Sequence, residues 1–177
     1  YGFKPKEKVF LDKCSKKLCG RFRRGHFEGV LNVVNRFIEI IRPKYIYLGK
    51  KDYQQLFLIK RHIEKRKIKS RIIECETIRE NNGVACSSRN SKLNKNQIEV
   101  ASNIHNYLKN FKKKIRKNYN LFNINKIRKD LINLGANKID YVENYNIKSF
   151  KRILKSNKNF NLFFAYYIKN IRLIDNI

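Results

Sequence analysis

Between Phe27 and Cys75 the apolar residues switch back and forth between a helical and a strand-like period, and that alternation limits the fold more than any other feature of the chain. Phe27, Val30, Leu31, Val34, Phe37, Ile38 and Ile41 recur at three- and four-residue steps and stop before Pro43, which predicts an amphipathic helix. Tyr45-Ile46-Tyr47-Leu48 is a short β-prone run ending at Gly49. Leu56, Phe57, Ile59 and Ile63 then restore the helical period, and Arg71 to Cys75 reads as a second strand. Helix, strand, helix, strand predicts a parallel α/β layer. In such sheets ligands gather outside the carboxyl ends of the strands, here around Gly49 to Asp52 and after Cys75. The segment before this layer, Tyr1 to Arg24, predicts no firm element.

Beyond Ile78 the rhythm changes. Glu80-Asn81-Asn82-Gly83 predicts a turn and Val84 to Cys86 a short strand. Asn94 and Gln97 have the spacing of a helix cap whose third residue reaches back. The helix they open carries Ile98, Ala101, Ile104, Leu108, Phe111 and Ile115 on one face. A further helix through Ile127, Leu131 and Leu134 stops at Gly135, and two β-prone runs, Ile139 to Tyr145 and Leu162 to Ile168, follow. This predicts a small α+β domain. With a short hinge near Glu76 to Ile78, residues 1–77 form the first domain and 78–177 the second.

Composition narrows the classes that remain. A chain of 177 residues with 42% hydrophobic content can bury one good core or two small ones. Cys14, Cys19, Cys75 and Cys86 show neither paired zinc-ligand spacing nor partner histidines, and are read as reduced thiols in a cytoplasmic protein. The longest apolar run, Leu162 to Ile168, is far short of the roughly 20 residues that span a bilayer, so no membrane segment is expected. A net charge of +28 points first toward nucleic acid. The wealth of Lys, Asn, Ile, Tyr and Phe is, however, what A/T-rich codons produce without selection for basicity, and a stretch such as Lys109 to Lys117 is more often a solvated helix face. Nucleic acid is therefore not the favoured partner. The sequence contains no Met, so Tyr1 is not a translation start and the chain is expected to begin inside a longer protein.

Three clusters carry the chemistry. In Gly49-Lys50-Lys51-Asp52-Tyr53-Gln54-Gln55 a glycine ends a strand and lysines precede a helix, a place where free N–H groups and the helix dipole attract phosphate. A lysine about 4 Å from a phosphate oxygen gains on the order of 4 kcal/mol at an effective dielectric near 20. Ser87-Ser88-Arg89-Asn90 follows an apolar strand with two hydroxyls and a guanidinium, able to grip a polyphosphate without proton chemistry. Arg23-Arg24-Gly25-His26-Phe27-Glu28-Gly29 opens the first long helix, where His26 either bonds the backbone or touches a ligand. Taken alone, each of the first two clusters is more often an ordinary solvated turn than a site. His62 and His105, single histidines on helices, are expected to be structural.

The order and spacing of these clusters resemble the pantoate–β-alanine ligase family. Its SR-x-GHF-x-GV segment matches Phe22 to Val30, its G-E-K-D-[FY]-Q-Q segment Gly49 to Gln55, its D/N-G-L-A-[LM]-SSRN segment Asn82 to Asn90, and its RLIDN ending Arg172 to Asn176. The resemblance implies an α/β fold: the carboxy-terminal half of a Rossmann-like, nucleotidylyltransferase-type domain followed by a small α+β lid. It implies a homodimer acting on ATP with Mg²⁺, pantoate and β-alanine. It further implies that Gly49, Lys50, Lys51 and Asp52 contact ATP, with Lys51 neutralising charge at the α-phosphate, and that Gln55 hydrogen-bonds pantoate. Ile78 would pack at the adenine, and Cys86, Ser87, Ser88 and Arg89 would cradle the phosphates. The catalytic set is Lys51, Ser87, Ser88 and Arg89, with no protein metal ligand. Positioning and charge neutralisation dominate such phosphoryl-type transfers, so none of these residues need be a nucleophile.

Four positions depart from the family pattern: Lys50 stands for Glu, Phe22 for Ser, Arg24 for Pro, and Lys169 for a Gly expected in the last strand. Lys50 adds positive charge beside Lys51, which would raise ATP affinity or lower the lysine's pKa. The family's H-x-G-H signature has no counterpart here, and the chain alone is expected to be a poor catalyst. Two other readings compete, a remnant that folds without catalysing and a basic nucleic-acid-binding module.

Overall fold

A computed structural model describes residues 9–154 and 159–177. The chain divides into two compact units, Tyr1–Glu76 and Thr77–Ile177. The first contains α1 (Leu18–Phe22), α2 (His26–Ile41), β1 (Tyr45–Gly49), α3 (Tyr53–Lys65) and β2 (Arg71–Cys75). The strands pair in parallel, from Tyr45 opposite Arg71 to Gly49 opposite Cys75, as the alternation of periods predicts. Alternate residues of each strand face the helices. Ile46, Leu48 and Ile72 thus pack with Val30, Leu31 and Val34 of α2 and with Ile59 and Ile63 of α3. The opposite face is bare: Tyr47 is 68% exposed, and Tyr45 and Ile73 are also exposed. The predicted stripe of α2 is covered only in part, since Phe37 and Ile41 lie outside the apolar cluster and are exposed.

The segment before α2 departs from expectation. Residues 1–8 lie outside the described part, but Lys13–Lys16 form a 3-10 turn that runs into α1. No periodicity announces this turn because its order comes from a distant side chain. Gln54 of α3 donates from Nε2 to Cys14 O and Lys17 O, and its Oε1 accepts the Cys19 amide. Gly20 is required there, since a Cβ would sit 1.6 Å from Ser15 O.

The second unit holds α4 (Lys95–Lys117), α5 (Ile124–Asn133), β3 (Lys138–Asn146), β4 (Phe160–Ile168) and β5 (Ile171–Asn176). Asn94 accepts the Gln97 amide, and the Gln97 side chain accepts the Asn94 amide, so α4 begins with the predicted capping box. Its apolar face meets α5 and the sheet in a core that includes Ile104, Leu108, Ile127, Leu131, Val142 and Phe164. The sheet is antiparallel in the order β3-β4-β5. Its other face carries an aromatic group, Tyr145, Phe150 and Phe163, with ring centroids 5.1–6.0 Å apart.

Two expectations change here. The run Val84 to Cys86 is not a strand but a single bridge, Ala85 to Arg79, because the chain turns again at Ser88 before a ladder can grow. The third antiparallel strand, β5, has no herald in the sequence. It returns from β4 through Lys169 and Asn170, a connection without the glycine that would signal a hairpin. Lys169 therefore sits in that turn rather than in a strand, at φ 50°, and its amide donates to Asn137 Oδ1. A family glycine at this position has a plain reason, since only glycine adopts that φ without steric cost.

Candidate active site

In the first unit a cleft of about 710 Å³ opens beside the start of α2, lined by Arg23, Arg24, His26, Val30, Val34 and Gln55 among others. Gly25 sets the entry of the helix at φ 73° and offers no capping side chain, which leaves first-turn amides unsatisfied from within the helix. Arg23 lies 2.8 Å from His26 Nε2 through its NH1. A guanidinium only donates, so the imidazole accepts at Nε2. The cleft thus has guanidinium and amide groups at its polar side and Val30, Val33 and Val34 at its apolar side. The adjacent glutamines divide the work: Gln54 is buried and holds the α1 segment, whereas Gln55 reaches the cleft. Sequence alone gives both the same chemistry; the 100° step of the helix separates them.

At the end of β1, Lys50 to Asp52 form a 3-10 turn leading into α3. Lys51 Nζ is 3.9 Å from Asp52 Oδ2 and its side chain is 17% exposed. Gly49 is open to solvent, with nothing near the position a Cβ would take. Lys50 finds a partner that the sequence reading did not foresee, since its ammonium donates to Glu76 Oε1 at the end of β2. That bond, with the neighbouring Glu74, raises the Lys50 pKa. The added positive charge is balanced within the unit.

His62 is buried on α3, where Nδ1 accepts the Phe10 amide and Nε2 meets Asn35 Oδ1. Burial lowers its pKa, and its role is structural as expected.

In the second unit Ile78 is 76% exposed, a bare apolar side chain just before the turn at 80–83. Cys86 engages its amide with Ile78 O, and its thiol donates to Glu80 Oε1 at 3.4 Å. Ser87 Oγ accepts the Arg89 amide, Ser88 O accepts the Ser91 hydroxyl, and Ser88 and Arg89 project as exposed side chains. Asn90 Nδ2 donates to Ala85 O and closes the loop at its base. The structure thus brings Cys86, Ser87, Ser88 and Arg89 together in one loop, and Gly49 to Asp52 together in one turn. Arg79, missed in the sequence because it belongs to no periodic run, bridges Ala85 just before this loop. Among the described residues no group of three or more histidine, cysteine, aspartate or glutamate side chains is placed to hold a metal. No helix among them is long and apolar enough to cross a membrane.

A parallel α/β unit with a basic strand-to-helix turn, followed by an antiparallel unit bearing a hydroxyl-rich loop, defines the class of Rossmann-like α/β proteins with a small second domain. The family model described as Pantoate-beta-alanine ligase matches residues 1–177. Pantothenate synthetase of Ruthia magnifica subsp. Calyptogena magnifica is 37% identical over 170 residues, covering 96% of this chain and 60% of that protein. The pantothenate synthetase of Sulfurihydrogenibium sp. (strain YO3AOP1) is 39% identical over 172 residues, covering 96% and 61%. The crystal structure of pantoate-beta-alanine ligase from Francisella tularensis, complexed with beta-gamma ATP and beta-alanine, has a TM-score of 0.72 at 32% identity and covers 98% of this chain and 59% of that one. A pantothenate synthetase structure from Thermus thermophilus, at 24% identity, TM-score 0.81 and 96% and 62% coverage, shows the shared fold. The chain belongs to the pantoate–β-alanine ligase family, and it spans about 60% of the length of the curated relatives it matches.

Proposed function

We propose that this chain carries ATP- and pantoate-handling residues of a ligase that condenses pantoate with β-alanine to pantothenate through a pantoyl-adenylate, releasing AMP and pyrophosphate. The observation that carries the reading is the cleft in the first unit. A small branched hydroxy acid needs an apolar wall for its methyl groups, a hydrogen-bonding amide for its hydroxyls and cationic surroundings for its carboxylate. Val30 and Val34, Gln55, and Arg23 with Arg24 supply these in turn. The family membership and the Francisella ATP complex agree with it.

In this scheme the pantoate carboxylate attacks the α-phosphorus of ATP and pyrophosphate leaves. The amine of β-alanine then attacks the acyl carbon and AMP leaves. Lys51 neutralises charge developing on the α-phosphate, and Gly49, Lys50 and Asp52 complete the ATP contacts of the turn. Ile78 packs against adenine, while Cys86, Ser87, Ser88 and Arg89 receive the phosphates, with Ser88 and Arg89 as exposed donors. The cysteine contributes position more than hydrogen bonds, since its amide and thiol are already engaged. Mg²⁺ would be held mainly by phosphate oxygens and water, because Asp52 is the one carboxylate of the β1 turn. The working form is a homodimer in the cytoplasm.

Thermal melting of the 177-residue chain with MgATP and with pantoate, joined to an AMP-release assay, tests the reading. Each ligand is expected to raise the melting temperature. Lys51→Ala is expected to abolish the ATP response and to lower any AMP release on the order of 10²-fold. A chain that ignores both ligands but binds RNA tightly, with a steep salt dependence, would overturn the proposal in favour of a basic nucleic-acid module.

A further inference from the structure

The loop Cys86–Arg89 is held at its base by a cluster of side chains to which the reaction scheme gives no role. Arg79 NH1 donates to Asp175 Oδ2 at 2.6 Å and to Gly83 O at 3.1 Å. Its NH2 donates to Asp175 Oδ1 at 3.1 Å and to Asn176 O at 3.2 Å. His105 of α4 stands behind this fork, with Nδ1 3.4 Å from Arg79 NH1 and 3.6 Å from Asp175 Oδ2. The side chains of Arg79, Asp175 and His105 are 24%, 9% and 5% exposed. The His105 ring also lies against the turn: a Cβ on Gly83 would come within 2.7 Å of its Cδ2, and Gly83 has φ 87°. One planar guanidinium therefore joins the end of β5, the flank of α4 and the turn at 80–83.

The connection from this fork to the hydroxyl loop is short and made of backbone. Arg79 bridges Ala85, the Glu80 amide donates to Val84 O, and the Cys86 amide donates to Ile78 O. On the far side Asn90 Nδ2 donates to Ala85 O, and the Asn90 amide donates to Ser87 O. The loop thus springs from a base whose orientation is set by a two-pronged arginine–carboxylate pair, a geometry that a point charge does not impose.

We infer that Arg79, gripped by Asp175 and backed by His105, is a positioning residue that holds the Cys86–Arg89 loop in the conformation that receives phosphate. The inference rests on the phosphate reading of that loop. Hydrogen exchange of the unliganded full chain, with binding of inorganic tripolyphosphate as a second measurement, separates the two ideas. In Arg79→Lys, which keeps the charge and loses the fork, and in Asp175→Asn, the Cys86 and Asn90 amides are expected to exchange about tenfold faster or more, while the Val142 and Phe164 amides in the β3–β4 ladder keep their protection. Tripolyphosphate affinity is expected to fall about tenfold in both variants, in line with a coupling of the usual allosteric size. Tyr107→Phe, which removes the Tyr107–Asp130 hydrogen bond of the same unit, is expected to change neither. Unaltered Cys86 and Asn90 exchange in Arg79→Lys, or acceleration spread evenly through the sheet, overturns the positioning role. If the unsubstituted chain fails to bind tripolyphosphate, the phosphate reading falls, while the exchange data still decide whether Arg79 orders the loop.

Discussion

The two units bury their sheets to different degrees. In the second, β4 is flanked by strands on both sides, with α4 and α5 packed on one face and an aromatic group on the other. In the first, two parallel strands carry helices on one face while Tyr45, Tyr47 and Ile73 stand exposed on the other. Parallel sheets are normally covered on both faces, whereas antiparallel ones tolerate water on one. The difference teaches where stability resides. The second unit holds a self-contained core, and the first rests on one covered face and on the hydrogen bonds of Gln54.

The contrast is most easily broken at the buried ion pair of the second unit. Asp140 Oδ2 accepts from Arg172 Nε at 2.7 Å, with the aspartate side chain 1% exposed. Asp140→Ala takes the carboxylate away from a largely buried guanidinium and is expected to cost about 3–5 kcal/mol in chemical denaturation. The next largest effect sharpens the difference between the two faces of the first sheet. Ile59→Ala, on the covered side, is expected to cost about 2–5 kcal/mol. Tyr47→Ala, on the bare side, is expected to stay within about 0.5 kcal/mol of the parent chain, and a loss as large as that of Ile59→Ala would show that this face is covered.

Acid should separate the units as well. Burial lowers the His62 pKa, so the unfolded chain takes up its proton first, at about pH 6.5, and the first unit loses stability as pH falls through that value. Burial opposes the charge of Asp175, but the neighbouring His105, the hydrogen-bonded Arg79 guanidinium and the Asn176 amide outweigh it and lower its pKa. Its contribution is present above about pH 4 and is lost as pH falls through the depressed folded value. Amide exchange at stepwise lower pH is expected to release Ile59 before Phe164, and the reverse order would refute the contrast. One further expected effect is a gain. Lys169→Gly removes a left-handed lysine from the β4–β5 turn and is expected to add about 0.5–1 kcal/mol in thermal melting.

Much of this fold was legible because its signals are local. The stripe of α2, the β-prone runs at Tyr45 and Arg71, the Asn94–Gln97 box and the stop at Gly135 each depend on residues a few positions apart. The motif residues were equally visible, as groups: Gly49 to Asp52 in one turn, Cys86 to Arg89 in one loop. Their environment was not. That Lys50 meets Glu76, that Gln54 turns inward while Gln55 turns to the cleft, and that Arg79 grips Asp175 are contacts over 26 to 96 residues for the ionic pairs.

The sequence by itself determined the order of the elements from α2 to β4, the capping of α4, the family and the clusters of polar residues available for chemistry, since period, caps and motif spacing are written along the chain. Only the tertiary structure decided that β5 completes the sheet, that residues 84–86 form a bridge and not a strand, and which charges are balanced. Those outcomes depend on which distant groups share a low-dielectric interior, where an unpaired charge or amide is costly, and no local pattern encodes that distance.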